Sequence, residues 1–138
     1  MNHHVELLQR AYQRWEASRA ADTAAWTELI SDDVLMSSLG DAEPELEFAS
    51  QRRGRDLAHQ YFFDITKAWE MNFFRAEQFI AEGDWVVMQG RCGWTFRTTQ
   101  KAVESPIVHV FRFQDGKITE FHEFFDTARA LAATRAES

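Results

Sequence analysis

The sequence predicts an α+β domain, with helices packed on one face of a curved antiparallel sheet. Three observations favour this class. Apolar residues recur at helical spacing in the first half of the chain, they alternate with polar residues in the second half, and turn-forming residues separate the alternating segments. Helices followed by antiparallel strands are typical of α+β proteins. The chain has 138 residues, enough for one hydrophobic core, so a single domain over residues 1–138 is expected.

The first half contains three predicted helices, which span residues 5–20, 22–30 and 54–69. In the first, Leu8, Tyr12 and Trp15 recur every three or four residues, the spacing of an amphipathic helix. Asp22 and Thr23 are suited to cap the second helix, because their side-chain oxygens accept from backbone amides that lack intrahelical partners.

The second half contains four predicted strands, at residues 73–81, 85–98, 103–113 and 117–125, and a short earlier strand is expected at 34–38. A terminal helix is predicted at 129–135, with Asp126 as its N-cap. The acidic segment 40–50 contains Pro44 and is expected to be a loop, either a flap over a cavity or, as we favour, ordinary surface.

Composition limits the classes of partner. Apolar residues make up 45% of the chain, and 12 Phe and 5 Trp exceed the need of a minimal core, so we expect some rings to line a cavity. The net charge of −7 argues against nucleic acid as a partner. Arg52, Arg53 and Arg55 form the one basic cluster, which we interpret as a solvated helix entrance rather than a phosphate site.

Cys92 is the single cysteine, so the chain has no internal disulfide, and we expect its thiol to pack in the core or in a pocket wall. The sequence shows neither a signal-peptide pattern nor an apolar run near the ~20 residues of a membrane span. We therefore expect a cytoplasmic protein with no membrane partner.

The segment from Pro106 to Asp126 carries the candidate chemistry. It predicts a hairpin around Gln114-Asp115-Gly116, and we favour a three-residue loop that ends on a left-handed glycine. That register makes His109 and Glu123 diagonal neighbours on one face of the sheet. A two-residue turn would instead place His109 opposite His122, with Glu123 on the other face.

Three segments of this chain carry a family resemblance: Ser31-Asp32-Asp33-Val34, Gly54-Arg55-Asp56, and the run from Val110 through Phe125-Asp126. On these segments the chain resembles the SnoaL-like polyketide cyclases and, more broadly, the nuclear transport factor 2-like superfamily, which includes ketosteroid isomerase. The resemblance implies a cone-shaped curved sheet with three N-terminal helices on its concave face and a deep pocket. It also implies a homodimer, which we expect to form through the outer face of the sheet.

The resemblance also suggests roles for residues. SnoaL-like cyclases use a carboxylate in the last strand as acid and base, without metal or cofactor, and Glu123 occupies the corresponding region. The proton-abstracting Asp of the steroid isomerases falls at Ser38, and their oxyanion Tyr and Asp fall at Arg14 and near His109. In the Asp-Arg-Asp set of the related epoxide hydrolases, one acid aligns with Glu123. The other two positions fall near Cys92 and Gly90, with Arg91 one residue out of phase. Neither of those two activities is therefore expected.

The sequence thus predicts Glu123 and His109 as the catalytic pair, with no metal and no cofactor. The residues predicted to line the substrate pocket are Tyr12, Trp15, Met36, Ser38, Phe62, Cys92, Trp94, Phe111 and Phe121. The expected partner is a small apolar molecule, cyclic or carbonyl-containing, that is isomerised, cyclised, dehydrated or hydrolysed.

Two plainer interpretations stay open. In the first, Glu123 and His109 pair with each other inside the core and have no other role. In the second, the same fold holds a hydrophobic ligand or another protein without catalysis. His122 has the opposite parity in its strand, so we expect it at the surface or in a dimer interface.

Overall fold

A computed structural model describes residues 2–136 and shows four α-helices and a six-stranded sheet within them. The helices are α1 (His3–Ala17), α2 (Ala24–Thr27), α3 (Arg55–Ala68) and α4 (Thr127–Ala133). The strands are β1 (Ile30–Ser38), β2 (Arg52–Arg53), β3 (Trp69–Glu82), β4 (Trp85–Phe96), β5 (Lys101–Gln114) and β6 (Lys117–Phe125). The strand order across the sheet is β2-β1-β6-β5-β4-β3.

The α+β class is confirmed, and one detail of the sheet is corrected. The sheet is mixed, because β1 pairs with β6 in parallel while the pairs from β6 to β3 are antiparallel. The predicted second helix is shorter than expected, since the chain is already extended at Ile30, where it pairs with Ile118. None of the helices in the described part of the chain is long and apolar enough to cross a membrane.

Helices α1 and α3 supply the apolar layer that covers the sheet. In α3 the buried face contains Ala58, Tyr61, Phe62 and Ile65, whereas Leu57 is 49% exposed. Burying a large apolar side chain stabilises a fold by about 1.5–3 kcal/mol, so these faces fix how the two helices lie on the strands.

The segment between β1 and β2 is not ordinary surface, which corrects the interpretation favoured above. Phe48 and its neighbours Leu46 and Ala49 are buried in a short 3₁₀ turn. Arg52 is buried as well, contrary to the expected solvated position, and its guanidinium forms a 2.7 Å ion pair with Asp64. Because the same guanidinium donates to the carbonyl of Glu47, it joins this segment to α3.

The β5–β6 hairpin places His109 and Glu123 on one face, as predicted, but with a different turn. Asp115 and Gly116 both have positive φ, 51° and 77°, as a two-residue type I′ turn requires, so the predicted three-residue loop is wrong. A β-bulge at Thr119 then shifts the pairing by one residue. As a result His109 pairs directly with Glu123 rather than diagonally.

Candidate active site

The central pair of the site is His109 on β5 and Glu123 on β6. The two residues lie opposite each other on the face of the sheet that the helices cover, and they are only 6% and 4% exposed. His109 Nε2 is 3.6 Å from Glu123 Oε2. Two ionisable groups therefore lie close together in an apolar interior, where charge is costly unless it is paired.

Tyr12 on α1 fixes the orientation of the His109 ring. Its hydroxyl lies 2.5 Å from His109 Nδ1. Burial raises the pKa of Tyr12 well above 10.0, and the charge of Glu123 raises it further, so the hydroxyl keeps its proton. A protonated hydroxyl that donates to Nδ1 leaves the ring hydrogen of a neutral imidazole on Nε2, the nitrogen that faces Glu123.

Tyr61 on α3 binds the carboxylate from the other side. Its hydroxyl donates to Glu123 Oε2 at 3.0 Å. Burial raises the pKa of Tyr61 well above 10.0, with a further contribution from Glu123, so this hydroxyl too is a donor. Glu123 Oε1 is buried and has no hydrogen-bond partner among the described residues. The two oxygens of one carboxylate are therefore different: Oε2 is bound and Oε1 is bare.

Sequence reasoning did not single out Tyr61 as a site residue. Its position on an apolar helical stripe with Ile65 indicates core packing equally well, and no local pattern connects residue 61 with residue 123. The one available signal was a polar hydroxyl on that stripe, because buried tyrosine hydroxyls usually find a hydrogen-bond partner.

A cavity of about 60 Å³ lies beside the pair, under α3 and α4, and both Glu123 and His109 line it. Seven of its sixteen lining residues are aromatic, namely Trp15, Phe48, Tyr61, Trp69, Phe74, Trp94 and Phe125. Trp15, Trp94 and Cys92 of the predicted pocket residues belong to this wall. Burial raises the pKa of the Cys92 thiol to about 12, so at neutral pH the sulfur is a protonated wall atom and not a nucleophile.

A second cavity, of about 40 Å³, is also lined by His109. Four further predicted pocket residues line it, namely Met36, Phe62, Phe111 and Phe121. Trp15, Tyr61 and His109 border both cavities. The single pocket expected from the sequence is therefore two adjoining spaces that both contact His109.

The other two predicted pocket residues line neither cavity. Ser38 is buried next to Glu123 in the β1–β6 pairing, and its hydroxyl has no hydrogen-bond partner in the described chain. Tyr12 acts through its bond to His109 and borders a groove on the outside of α1.

A second histidine–glutamate pair lies on the opposite face of the sheet. His122 Nδ1 is 2.6 Å from Ser37 Oγ, and His122 Nε2 is 3.0 Å from Glu120 Oε1. Arg112 donates to the other oxygen of Glu120 at 3.3 Å. The side chains of His122 and Glu120 are 23% and 27% exposed, so this outer network is only partly buried.

Candidate metal ligands are not clustered. Within residues 2–136 no group of three or more His, Cys, Asp or Glu side chains is arranged to hold a metal ion. His109 and Glu123 are two such groups, and their neighbours Tyr12 and Tyr61 are hydrogen-bond donors to them. The arrangement is suited to moving a proton between a carboxylate and a bound molecule.

The family comparison agrees with the fold. Residues 8–121 match the SnoaL-like domain family, so the chain belongs to that family. No curated protein matches the chain in sequence.

Solved structures extend the comparison. An NTF2-like protein of unknown function from Burkholderia pseudomallei superposes with a TM-score of 0.86 at 21% identity, over 99% of this chain and 100% of that one. An NTF2-like protein from Burkholderia thailandensis gives 0.81 at 26% identity, over 98% and 99%. A candidate polyketide cyclase from Xanthomonas campestris gives 0.77 at 17% identity, over 96% of each chain.

Proposed function

We propose that this protein is a cofactor-independent acid/base enzyme that moves a proton on a small apolar cyclic or carbonyl-containing molecule. The reaction class is an isomerisation, cyclisation, dehydration or hydrolysis. The observation that carries the proposal is the bare Oε1 of Glu123, which is buried beside an aromatic cavity. Membership of the SnoaL-like family and the fold shared with a candidate polyketide cyclase support an enzymatic role.

Glu123 is the proposed proton acceptor. Its Oε2 accepts from Tyr61, so the carboxylate is held in place while Oε1 faces no protein donor. Burial removes the water that would otherwise hydrogen-bond to that oxygen, and a desolvated carboxylate is the form that removes a proton most readily. The proton taken up by Oε1 is then available for return to another atom of the same bound molecule.

His109 is the proposed partner in charge stabilisation. Tyr12 holds its ring so that Nε2 points toward the carboxylate at 3.6 Å, and the ring borders both cavities. A ring N–H in this position donates to an oxygen that becomes negative when a neighbouring carbon loses its proton. The pair thus supplies a base and an electrophilic donor within one site.

Hydrogen exchange at carbon tests this proposal without knowledge of the natural substrate. Cyclopentanone, cyclohexanone and 2-cyclohexenone are incubated with the protein in D₂O, and proton NMR follows the loss of the signals α to the carbonyl. We expect the wild-type protein to accelerate exchange of at least one ketone, and Glu123→Gln to reduce that acceleration about 100-fold.

The matched control is Glu120→Gln, which changes the same residue type in the same strand on the other face and should leave the exchange rate unchanged. Circular dichroism of both variants checks folding. The proposal is wrong if the wild-type protein exchanges none of the ketones, or if a folded Glu123→Gln variant exchanges as fast as the wild type.

A second candidate function is ligand binding without catalysis. The observation that favours it is the small free space, about 60 Å³, together with the engagement of both tyrosine hydroxyls by protein groups. A binding module would hold a cyclic ketone, seen as a saturable shift of its NMR signals, and would produce no exchange above buffer. The same samples therefore distinguish the two functions.

A further inference from the structure

The charges around the first cavity are one-sided. Of the described residues that line it, none is Lys or Arg, whereas Glu123 and Asp126 are both present. Asp126 is occupied elsewhere, because its carboxylate caps α4 and forms a 3.2 Å ion pair with Arg129. Arg52, the buried arginine near α3, is paired with Asp64 and does not line the cavity. Glu123 therefore faces the cavity with no Lys or Arg among the described lining residues beside it.

The hydrogen-bonding capacity of Glu123 is also incomplete. Tyr61 donates to Oε2, and the His109 ring faces the same oxygen. Oε1 has no donor in the part of the chain that the structure describes, although the residue is only 4% exposed. Leaving a buried carboxylate oxygen unbonded is costly, so an O–H or N–H donor in the cavity would bind there favourably.

We infer that this cavity binds an uncharged molecule that donates an O–H or N–H hydrogen bond to Glu123 Oε1, and that it rejects anions. The inference deepens the proposed function, since it concerns the ligand of the same site. A neutral donor is sufficient because Oε2 is already served by protein groups, and one more bond completes the carboxylate. A carboxylate or phosphate group would enter an aromatic space next to Glu123, with no Lys or Arg among the described lining residues to pair with.

Three single-ring probes of similar shape test the inference by ¹⁹F NMR titration: 4-fluorophenol, 4-fluorotoluene and 4-fluorobenzoate. The phenol is a neutral donor, the toluene has a methyl group in place of the hydroxyl, and the benzoate is an anion. We expect the wild-type protein to bind the phenol at least tenfold more tightly than the toluene, and to bind the benzoate with no measurable affinity. A merely apolar cavity would show the reverse order for phenol and toluene, because it would favour the less hydrated methyl group.

The Glu123→Gln variant removes the charge and keeps the shape of the side chain. We expect it to gain at least tenfold affinity for 4-fluorobenzoate, whereas Glu120→Gln on the outer face should not change the order of the three probes. The inference is overturned if the wild-type protein binds the toluene as tightly as the phenol, or binds the benzoate comparably. These comparisons use the folded wild-type chain, so they hold even if the variant fails to fold.

The ketone and fluorine experiments can overturn the two proposals independently. Selection of the phenol without ketone exchange would overturn the proposed catalysis and leave the ligand inference intact. Ketone exchange that depends on Glu123, together with binding of the benzoate, would overturn the ligand inference and leave the proposed catalysis intact.

Discussion

On the inner face of the sheet, His109 and Glu123 lie close together among aromatic rings. On the outer face, His122 and Glu120 lie close together and are partly exposed to solvent. The two pairs use the same residue types and share strand β6. They differ in their other partners. The outer glutamate is bonded through both oxygens, to His122 and to Arg112, and these partners lower its pKa below the ordinary value.

Among the described residues, no arginine forms an ion pair with the inner glutamate, Glu123. Its partners are Tyr61 and His109, and one of its oxygens is left bare. The comparison teaches that a histidine next to a glutamate is not by itself a sign of function. The sign is a buried carboxylate with unused hydrogen-bonding capacity and a cavity beside it, because a purely structural role would favour full satisfaction of both oxygens.

The largest expected difference between the faces is in stability. His109→Ala removes the partner of Tyr12 and leaves Glu123 more isolated in the core, so we expect a loss of about 3 kcal/mol in the free energy of unfolding. His122→Ala breaks a partly exposed network and should cost less than about 1 kcal/mol. Urea denaturation of both variants measures the difference, and equal losses would contradict the assigned contrast.

A smaller effect is expected from single hydroxyls. Tyr61→Phe deletes the donor to Glu123 Oε2 and should reduce the free energy of unfolding by about 2 kcal/mol, since a bond to a buried charged acceptor is lost. Ser37→Ala on the outer face removes a hydroxyl that His122 can replace with water, and its expected cost is about 0.5 kcal/mol. If Ser37→Ala lowers the free energy of unfolding more than Tyr61→Phe does, the outer network is the more important one for stability.

Alkaline pH should lower stability through the inner pair and not through the outer one. The reason is that both tyrosines of the chain contact the inner pair. Their pKa values are raised in the folded protein, so their contribution to stability is complete below about pH 10 and is lost as pH rises through the folded pKa. The expected loss is about 1.4 kcal/mol per pH unit for each tyrosine. Denaturation at a series of pH values above 10 should show a shallower loss for Tyr61→Phe than for the wild type, and an unchanged loss for Glu120→Gln.

The smallest effect is expected on the acidic side, from the outer face. The pKa of Glu120 is lowered by His122 first and by Arg112 next, so its contribution is present above the ordinary pKa of 4.5 and is lost as pH falls through the lowered value. Because the pair is partly exposed, we expect less than about 1 kcal/mol, and less again at high salt. Thermal melting of Glu120→Gln at acidic pH should show a weaker dependence on pH than the wild type, and a stronger dependence would contradict the assignment.

The expectation that His109 and Glu123 lie on one face of the sheet agrees with the observed pairing for an instructive reason. The favoured register used a three-residue loop and no bulge, whereas the hairpin has a two-residue turn at Asp115-Gly116 and a bulge at Thr119. Both arrangements place His109 and Glu123 on the same face, because the bulge restores the parity that the shorter turn would have changed. The turn residues are a local signal, but nothing local to Thr119 predicts the extra residue.

Several residues predicted for the pocket wall border a cavity, for a related reason. Trp15, Cys92 and Trp94 border the first cavity, since an apolar residue on a buried face has a good chance of reaching a cavity on that face. Ser38, at the end of β1, does not border it. Phe48 does border it, because the segment between β1 and β2 turns inward where the sequence indicated surface. That course depends on the ion pair between Arg52 and Asp64, two residues that no pattern in the chain connects.

The sequence by itself determined the order of the main helices and strands, the family, and the presence of a hairpin between β5 and β6. These features depend on neighbours along the chain, where spacing of side chains is fixed by backbone geometry. Only the tertiary structure decided which hydroxyls reach the pair, since Tyr12 and Tyr61 come from two helices whose positions follow from packing. For the same reason it alone distinguished the bound oxygen of Glu123 from the bare one, on which the proposed chemistry depends.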